Sequence, residues 1–255
     1  MRLLTRREPA AFAQPRHRAR LFRLISLLLQ YPDAELLAAR DELGRAAAAL
    51  PESATRDALV AFTAWYAECE PTRLARAYVE TFDLRRRSSL YLTYYLHGDT
   101  RRRGMALLTL KQRYRVAGLV PPEGELPDYL PVVCEFAALA GPSTGEAPLR
   151  QHRKGLELIR TALHESGSSY SLVLDALCAE LPDLSAAERA AVADLAMAGP
   201  PAEDVGLAPY GPPAEDVGLA PYGPPAEDVG PAPYGPTPYG AAPCGPPLNE
   251  TEVRP

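Results

Sequence analysis

The amino-acid sequence predicts an all-α protein: a single helical globule of about ten helices, followed by a proline-rich tail. Before residue 199 the chain is rich in Ala, Leu and Arg, which are good helix formers. The same region holds only two Ile and eight Val, too few for a sheet protein. Residues 199–255 contain 16 of the 28 prolines and no periodic apolar face, so they are not expected to pack.

Capping and breaking residues divide the first half of the folded region into four predicted helices. Asp33 can cap the second helix, and Ser53 or Glu52 can open the third. Pro71 suits the first turn of the fourth, because a proline there loses no hydrogen bond that the helix would make. The four helices are predicted over 21–29, 33–50, 53–69 and 71–82.

Six more helices are predicted in the second half. Gly98 stands where a left-handed residue closes a helix. Asp128 is predicted to be the N-cap of its own helix, and Ser185 forms a capping box with Glu188 before the last helix. The six helices are predicted over 89–97, 100–117, 128–140, 148–166, 169–181 and 185–197.

The tail is built on a twelve-residue repeat. Gly-Pro-Pro-Ala-Glu-Asp-Val-Gly-Leu-Ala-Pro-Tyr occupies 199–210 and recurs in the next two windows, with Pro231 replacing Leu in the third. A repeat this rich in proline and acid predicts an extended, disordered segment that acts as a spacer or aids solubility. The predicted organisation is a flexible basic N-terminus over 1–16, a helical domain over 17–198 and the acidic tail over 199–255.

The distribution of charge and the spacing of the cysteines narrow the possible partners and the cellular compartment of this protein. The net charge is −5, but residues 71–116 carry eleven Lys or Arg and three acids, a local excess that attracts anions or acidic partners. The four cysteines are too scattered for a metal site or a redox pair, which favours reduced thiols in the cytoplasm. No segment has the roughly 20 apolar residues of a membrane span, so direct membrane insertion is not expected.

The sequence offers little for catalysis. His17, His97, His152 and His164 are the only histidines, and none pairs with a Cys, Ser or acid in a recognisable catalytic order. There is no glycine-rich phosphate loop and no nucleophile elbow. We therefore predict no catalytic residue, no metal and no enzyme activity; a cleft that brought His97 against Asp128 or Glu135 would favour a small all-helical enzyme instead.

Two arginine triplets flank a short apolar and aromatic run. Residues 85–87 precede one predicted helix and 101–103 fill the first turn of the next. Cations at helix N-termini are mildly unfavourable, so two such placements need an explanation. In one interpretation Asp83 and Asp99 neutralise the triplets and the rest face water. In the other, the triplets and the helix N-termini form an anion site.

Three tyrosines lie within the run between the triplets. Tyr91, Tyr94 and Tyr95 are spaced i, i+3 and i+4, so they share one face of the predicted short helix. An element that is apolar all round is usually buried, which favours a place in the core. Tyrosines also make good walls for a peptide groove, since they combine area with a hydrogen-bonding tip.

Two segments together resemble the nitrate reductase assembly chaperones of the NarJ or delta-subunit type. One is residues 83–104, with its two arginine triplets; the other is residues 125–136, Glu-Leu-Pro-Asp-Tyr-Leu-Pro-Val-Val-Cys-Glu-Phe. The family pattern has Pro-Asp-His where this chain has Pro127, Asp128 and Tyr129. The resemblance implies the all-helical TorD/NarJ-like fold and places the second motif near a hinge between two helical halves.

The resemblance also implies a function. A protein of this type binds the apo catalytic (alpha) subunit of respiratory nitrate reductase, chiefly its N-terminal segment, and assists molybdenum cofactor insertion before membrane docking. The cofactor belongs to the client, so no stably bound cofactor is expected. The alternative is a nucleotide or nucleic-acid binding module, because arginines interleaved with tyrosines are typical of one. The acidic flanks and tail count against that alternative.

These arguments give two sets of candidate site residues. The predicted client-binding residues are Asp83, Arg85, Arg86, Arg87, Tyr91, Tyr94, Tyr95, Asp99, Arg101, Arg102 and Arg103. The predicted motif or hinge residues are Glu125, Pro127, Asp128 and Glu135.

Overall fold

The computed structural model describes residues 5–6 and 16–199, and over these residues the chain is all-α, as predicted. The described helices belong to one compact unit. Their bounds are α1 Arg16–Leu28, α2 Ala34–Ala38, α3 Arg40–Ala48, α4 Ala54–Glu68, α5 Pro71–Tyr78, α6 Leu92–His97, α7 Arg101–Val116, α8 Leu130–Thr144, α9 Ala147–Gln151, α10 Arg153–Glu165, α11 Ser171–Ala179 and α12 Ala186–Ala198.

Short non-α elements connect some of these helices. The backbone after α5 continues as a π-helical stretch, Val79–Asp83, and a 3₁₀ turn covers Arg86–Ser88. Strand β1, Thr5–Arg6, pairs antiparallel with β2, Leu119–Val120. The repeat tail, apart from Gly199, lies outside the described residues, as do residues 1–4 and 7–15, so the predictions for those segments stay predictions.

The core centres on α1, which packs chiefly against α8. Phe22, Ile25 and Leu29 of this region are fully buried, and the Ser26 hydroxyl donates to the Pro131 carbonyl oxygen at 2.8 Å. Burying large apolar side chains along one face in this way is the main source of helix stability in a globule. No helix in the described ranges is both long enough and apolar enough to cross a membrane.

An aromatic cluster joins α4, the π-helical stretch and α11. The Tyr170 ring lies 5.1 Å from the Phe62 ring and 4.8 Å from the Phe82 ring, between centroids. The first pair is tilted and the second is edge-to-face, which are favoured geometries for aromatic contacts.

The three cysteines that the structure describes, Cys69, Cys134 and Cys178, are also buried, as small core residues.

Local capping signals mark several helix ends correctly. The Ser53 hydroxyl accepts from the Arg56 amide and caps α4. Ser185 and Glu188 form the predicted capping box before α12. Gly98 has a positive φ of 55° and its amide donates to Tyr94 O at 2.7 Å, closing α6.

Two predicted helices are wrong because each is broken in the structure. The helix over 33–50 is interrupted at Ala39, which separates α2 from α3, and the helix over 148–166 is interrupted at His152, which separates α9 from α10. Neither break falls at a proline or glycine, so the local pattern gives no signal for it.

The helix predicted over 89–97 is shorter in the structure and begins at Leu92. Tyr91 is extended instead, with φ −98° and ψ 103°, and forms an antiparallel bridge with Tyr129. The Leu92 amide donates to the Asp128 carbonyl oxygen at 3.1 Å. This pairing with the segment before α8 replaces the first helical turn, so Tyr91 does not share a helical face with Tyr94 and Tyr95.

Candidate functional site

The first arginine triplet is an exposed surface beside α10 and α12. Arg85, Arg86 and Arg87 are all exposed; we call them the arginine surface. Arg87 donates to the Ala196 carbonyl oxygen at 3.1 Å and lies 3.7 Å from the exposed Glu165 carboxylate. Surface pairs of this kind hold the charges loosely. Asp83 forms no ion pair with these arginines, so it does not neutralise them as one interpretation expected.

The second triplet is partly neutralised within α7. The Arg103 guanidinium lies 2.9 Å from the Asp99 carboxylate and over the Tyr94 ring, with its Cζ 5.9 Å from the ring centroid. Arg101 and Arg102 are exposed at the start of the helix. Tyr94 also lines a small cavity of about 90 Å³ with Arg86 and Arg87, so it contacts both arginine-bearing segments.

The remaining tyrosines divide between core and surface. Tyr95 is buried, and its hydroxyl lies 2.8 Å from Ser89 O and 3.1 Å from Arg87 O, which fixes the 3₁₀ turn under the arginine surface. Tyr91 is half-buried, and its hydroxyl donates to Glu125 Oε1 at 3.1 Å. The tyrosines therefore do not form the single wall that their spacing predicts.

The motif segment before α8 is held by buried hydrogen bonds. Asp128 is fully buried, and its carboxylate accepts from the amide and the hydroxyl of Thr93 at 3.0 and 2.5 Å. The prediction that Asp128 caps its own helix is wrong, because it caps α6 instead; α8 begins without a side-chain cap. Pro127 O accepts from the buried Tyr114 hydroxyl at 2.6 Å.

Tyr91 and Glu125 line a cavity of about 280 Å³, which we call the aromatic cavity. The cavity lies between the segment after α1, the end of α5 with the π-helical stretch that follows it, and the strand-like pairing of Tyr91 with the segment before α8. Predicted residues from both candidate sets, Asp83 and Tyr91 from one and Glu125 from the other, therefore meet at one place. The described residues that line it are Tyr31, Tyr78, Phe82, Asp83, Leu90, Tyr91, Glu125 and Tyr129.

A larger apolar groove, of about 740 Å³, lies between α1, α2, α3 and α8. Glu135, predicted as a motif residue, lies in this groove with its side chain 1% exposed and forms an ion pair with Arg23 of α1. We call this feature the apolar groove. Its lining residues are Ala19, Arg20, Arg23, Leu24, Leu27, Glu35, Leu36, Ala39, Glu42, Leu43, Ala46, Ala49, Leu50, Glu135, Ala138 and Leu139.

Sequence reasoning missed this groove, although one signal for it was present. Ala39, Leu43, Ala46 and Leu50 are spaced i, i+4, i+7 and i+11, so they form an apolar row that begins at the break before α3 and ends just after this helix. The residues of that row are small or medium in size, which leaves space between α3 and α1. A partly exposed row of this kind indicates a surface that receives another apolar element.

Two histidines have different surroundings: the exposed His164 has its Nε2 2.9 Å from Asp175 Oδ1, in a pair that Asp175 shares with Arg160. His152 is buried, and burial, with smaller contributions from His97 and Arg113, lowers the pKa of its imidazole to about 4. A neutral, buried imidazole at the junction of two helices is a structural residue. Within the described ranges, no three His, Cys, Asp or Glu side chains are close enough to hold a metal ion.

Comparison with known proteins defines the family. The model of the nitrate reductase delta subunit family matches residues 41–174, which include every site residue predicted from the sequence. The chain belongs to this family. The resemblance drawn from residues 83–104 and 125–136 is thereby confirmed.

Curated relatives agree with this family. The probable nitrate reductase molybdenum cofactor assembly chaperone NarJ of Bacillus subtilis is 33% identical over 167 residues, 66% of this chain and 91% of the relative. The Escherichia coli chaperone NarJ is 33% identical over 156 residues, 60% of this chain and 66% of the relative. The nitrate reductase-like protein NarX of Mycobacterium tuberculosis is 39% identical over 153 residues, 60% of this chain but 23% of the relative. The two NarJ names are those of chaperones rather than catalysts, and none of the three names supports the nucleic-acid alternative.

Proposed function

We propose that this protein is a chaperone that binds the apo catalytic subunit of respiratory nitrate reductase and assists molybdenum cofactor insertion before the enzyme docks at the membrane. The family and the names of the NarJ relatives support this function. The structural observation that carries it is the apolar groove, because a chaperone of one client needs an accessible apolar surface. The cofactor is part of the client, and the chaperone holds none of its own.

The apolar groove suits an amphipathic helix at the N-terminus of the client. Leu24 and Leu27 of α1 face Leu43 of α3 across it, while Arg20 and Glu42 also line it. A helix laid in such a groove buries its apolar face, and charges on either side set its orientation. Because the chaperone must release the mature enzyme, this contact needs only moderate affinity.

The arginine surface provides a second contact in this proposal. Its three guanidinium groups are exposed and held loosely, so they are accessible to acidic side chains of the client. Long-range attraction by such a patch raises the association rate more than the final affinity. The apolar groove would then supply most of the binding free energy.

The function is tested by purifying a tagged form of this chain from nitrate-grown cells of its own species. The expected result is co-purification of a large nitrate reductase subunit that contains less than one molybdenum per chain. Recovery of only fully loaded enzyme, or of no nitrate reductase subunit at all, would contradict the proposed function.

The groove is tested by placing a charge inside it. Ala46 and Ala48 are both exposed on α3, but only Ala46 lines the apolar groove. We expect Ala46→Glu to weaken binding of a synthetic client N-terminal peptide by at least about tenfold, because its carboxylate would be desolvated against the client's apolar face. The matched variant Ala48→Glu should bind like the unmodified protein in calorimetric titration. Equal affinities of the two variants would rule out this groove as the binding site.

A further inference from the structure

The aromatic cavity combines five rings with two carboxylates. Its ring-bearing residues are Tyr31, Tyr78, Phe82, Tyr91 and Tyr129, and its acids are Asp83 and Glu125. Of the residues that the structure describes, no lysine, arginine or histidine lines it. The faces of aromatic rings carry partial negative charge and attract cations. The two formal charges among the described lining residues are therefore both negative.

Neither carboxylate has a positive partner among the described residues. Glu125 accepts from two neutral donors, the Tyr91 hydroxyl at 3.1 Å and the Leu126 amide at 2.8 Å. Asp83 accepts no hydrogen bond from a described residue, and partial burial raises the pKa of its carboxyl group. Burial, together with the nearby Glu125 carboxylate, likewise raises the pKa of Tyr91. A cation entering the cavity would relieve this unfavourable charge.

The rings are already held in place without a ligand. The Tyr78 hydroxyl donates to the Leu29 carbonyl oxygen at 3.1 Å and lies 2.9 Å from the Tyr129 hydroxyl. The Tyr31 and Tyr78 rings meet edge to face at 5.5 Å, and the Tyr91 and Tyr129 rings lie 5.5 Å apart. A site whose walls are fixed in advance loses little conformational entropy when it binds.

The surroundings of the cavity indicate a polypeptide partner. Tyr31 is 48% exposed, and two further exposed apolar residues are direct sequence neighbours of the two acids: Leu84 follows Asp83 and Leu126 follows Glu125. Apolar side chains exposed beside a polar pocket are typical of a surface that another protein covers. A small free cation would not bury these apolar side chains, whereas a polypeptide would.

We propose that the aromatic cavity binds the side chain of an arginine or lysine residue presented by a partner polypeptide. The guanidinium or ammonium group lies among the rings and is neutralised by Asp83 and Glu125. This inference rests on the proposed function. It adds that the client segment carries a basic residue close to the apolar residues that bind the chaperone. The cavity itself can be tested without any client.

The first test uses N-acetyl-arginine amide as the probe and N-acetyl-citrulline amide as its neutral isostere, titrated into the full chain while the tyrosine ring resonances are followed by NMR. We expect the arginine probe to shift Tyr31, Tyr91 and Tyr129 at millimolar concentrations and to bind at least fivefold more tightly than citrulline. Asp83→Asn should weaken the arginine probe at least threefold, whereas Glu123→Gln, an exposed acid outside the cavity, should not. Equal binding of the two probes, or an unchanged Asp83→Asn variant, would overturn the inference.

Two further experiments test whether the bound cation is a small molecule and whether a variant of the cavity still folds. Choline binding more tightly than the arginine probe would identify a small-molecule site and overturn the proposal. Tyr31→Leu removes a half-exposed ring that meets the buried Tyr78 ring in one edge-to-face contact, and it should weaken the arginine probe while leaving the circular dichroism spectrum unchanged. Basic residues of the client peptide would then be replaced one at a time. One of these replacements should weaken binding to the unmodified protein but leave the affinity for the Asp83→Asn variant unchanged. If the peptide binds but no such residue exists, the inference fails while the proposed function stands.

Discussion

The Asp128 carboxylate accepts two hydrogen bonds from Thr93, and the Asp128 carbonyl oxygen accepts a third bond from the Leu92 amide. One residue thus satisfies the first two amides of α6, which would otherwise lack partners at the N-terminus of the helix. Asp is the expected residue type for a cap, and the sequence does identify it as one. It does not identify the helix, because the capped amides lie 35 positions away along the chain.

Replacing Asp128 tests this arrangement at the scale of a single residue. Asp128→Ala leaves the buried Thr93 amide without a partner and leaves the Thr93 hydroxyl only the long 3.4 Å bond that it accepts from Arg103 Nε, so we expect the free energy of unfolding to fall by about 2–3 kcal/mol. Asp99→Ala is the control; its exposed ion pair with Arg103 should contribute less than about 1 kcal/mol. Urea denaturation of both variants measures the difference. Similar losses for the two would show that Asp128 does not hold α6.

At the scale of the helices, the sequence predicted most accurately those helix ends that are determined by residues close together along the chain. The caps at Ser53 and Ser185 and the closing Gly98 all act within one turn of helix, so a local pattern reveals them. The breaks at Ala39 and His152 fall where residues of good helical propensity continue on both sides. Tertiary packing overrides such weak local preferences, and packing cannot be deduced from spacing alone.

Two glycines in helical regions should respond to alanine in opposite directions. A Cβ at Gly145, after α8, would lie 2.7 Å from Phe136 O and 2.8 Å from Gly141 O, and these backbone atoms cannot move easily. Gly145→Ala should therefore destabilise the protein by about 1–3 kcal/mol. A Cβ at Gly44, inside α3, meets nothing within 4 Å, so Gly44→Ala should stabilise it by about 0.5–1 kcal/mol. Thermal unfolding of both variants tests the pair; shifts of the same sign would refute it.

At the scale of the whole molecule, the candidate sites differ in how far the sequence could reveal them. The arginine surface is three consecutive residues, and the sequence displays it directly. The apolar groove draws on α1, α3 and α8, which are separated by up to about a hundred positions, and only the fold brings them together. The aromatic cavity is similar, since Tyr31 and Tyr129 approach each other through packing rather than through any motif.

The arginine surface and the apolar groove share no residue, so their contributions to client binding should be nearly independent. We expect Arg85→Glu with Arg86→Glu to weaken the client peptide roughly three- to tenfold, mostly through slower association and most strongly at low salt. Adding Ala46→Glu should multiply the two losses. Arg73→Glu with Arg76→Glu, two exposed arginines of α5, is the matched control. Stopped-flow binding that shows the same loss for both double variants would contradict a specific arginine surface.

The three buried cysteines also make the native chain its own reporter of local opening. Burial raises the pKa of Cys178 to about 11 and that of Cys134 further still, so neither sulfur is a thiolate at neutral pH in the closed fold. Alkylating reagents attack thiolates, and they reach these sulfurs only when the covering helices part. In a Cys244→Ser variant, mass spectrometry of iodoacetamide adducts would give the rate of alkylation at each remaining cysteine. These rates report local opening separately at the end of α4, within α8 and within α11, without any introduced label.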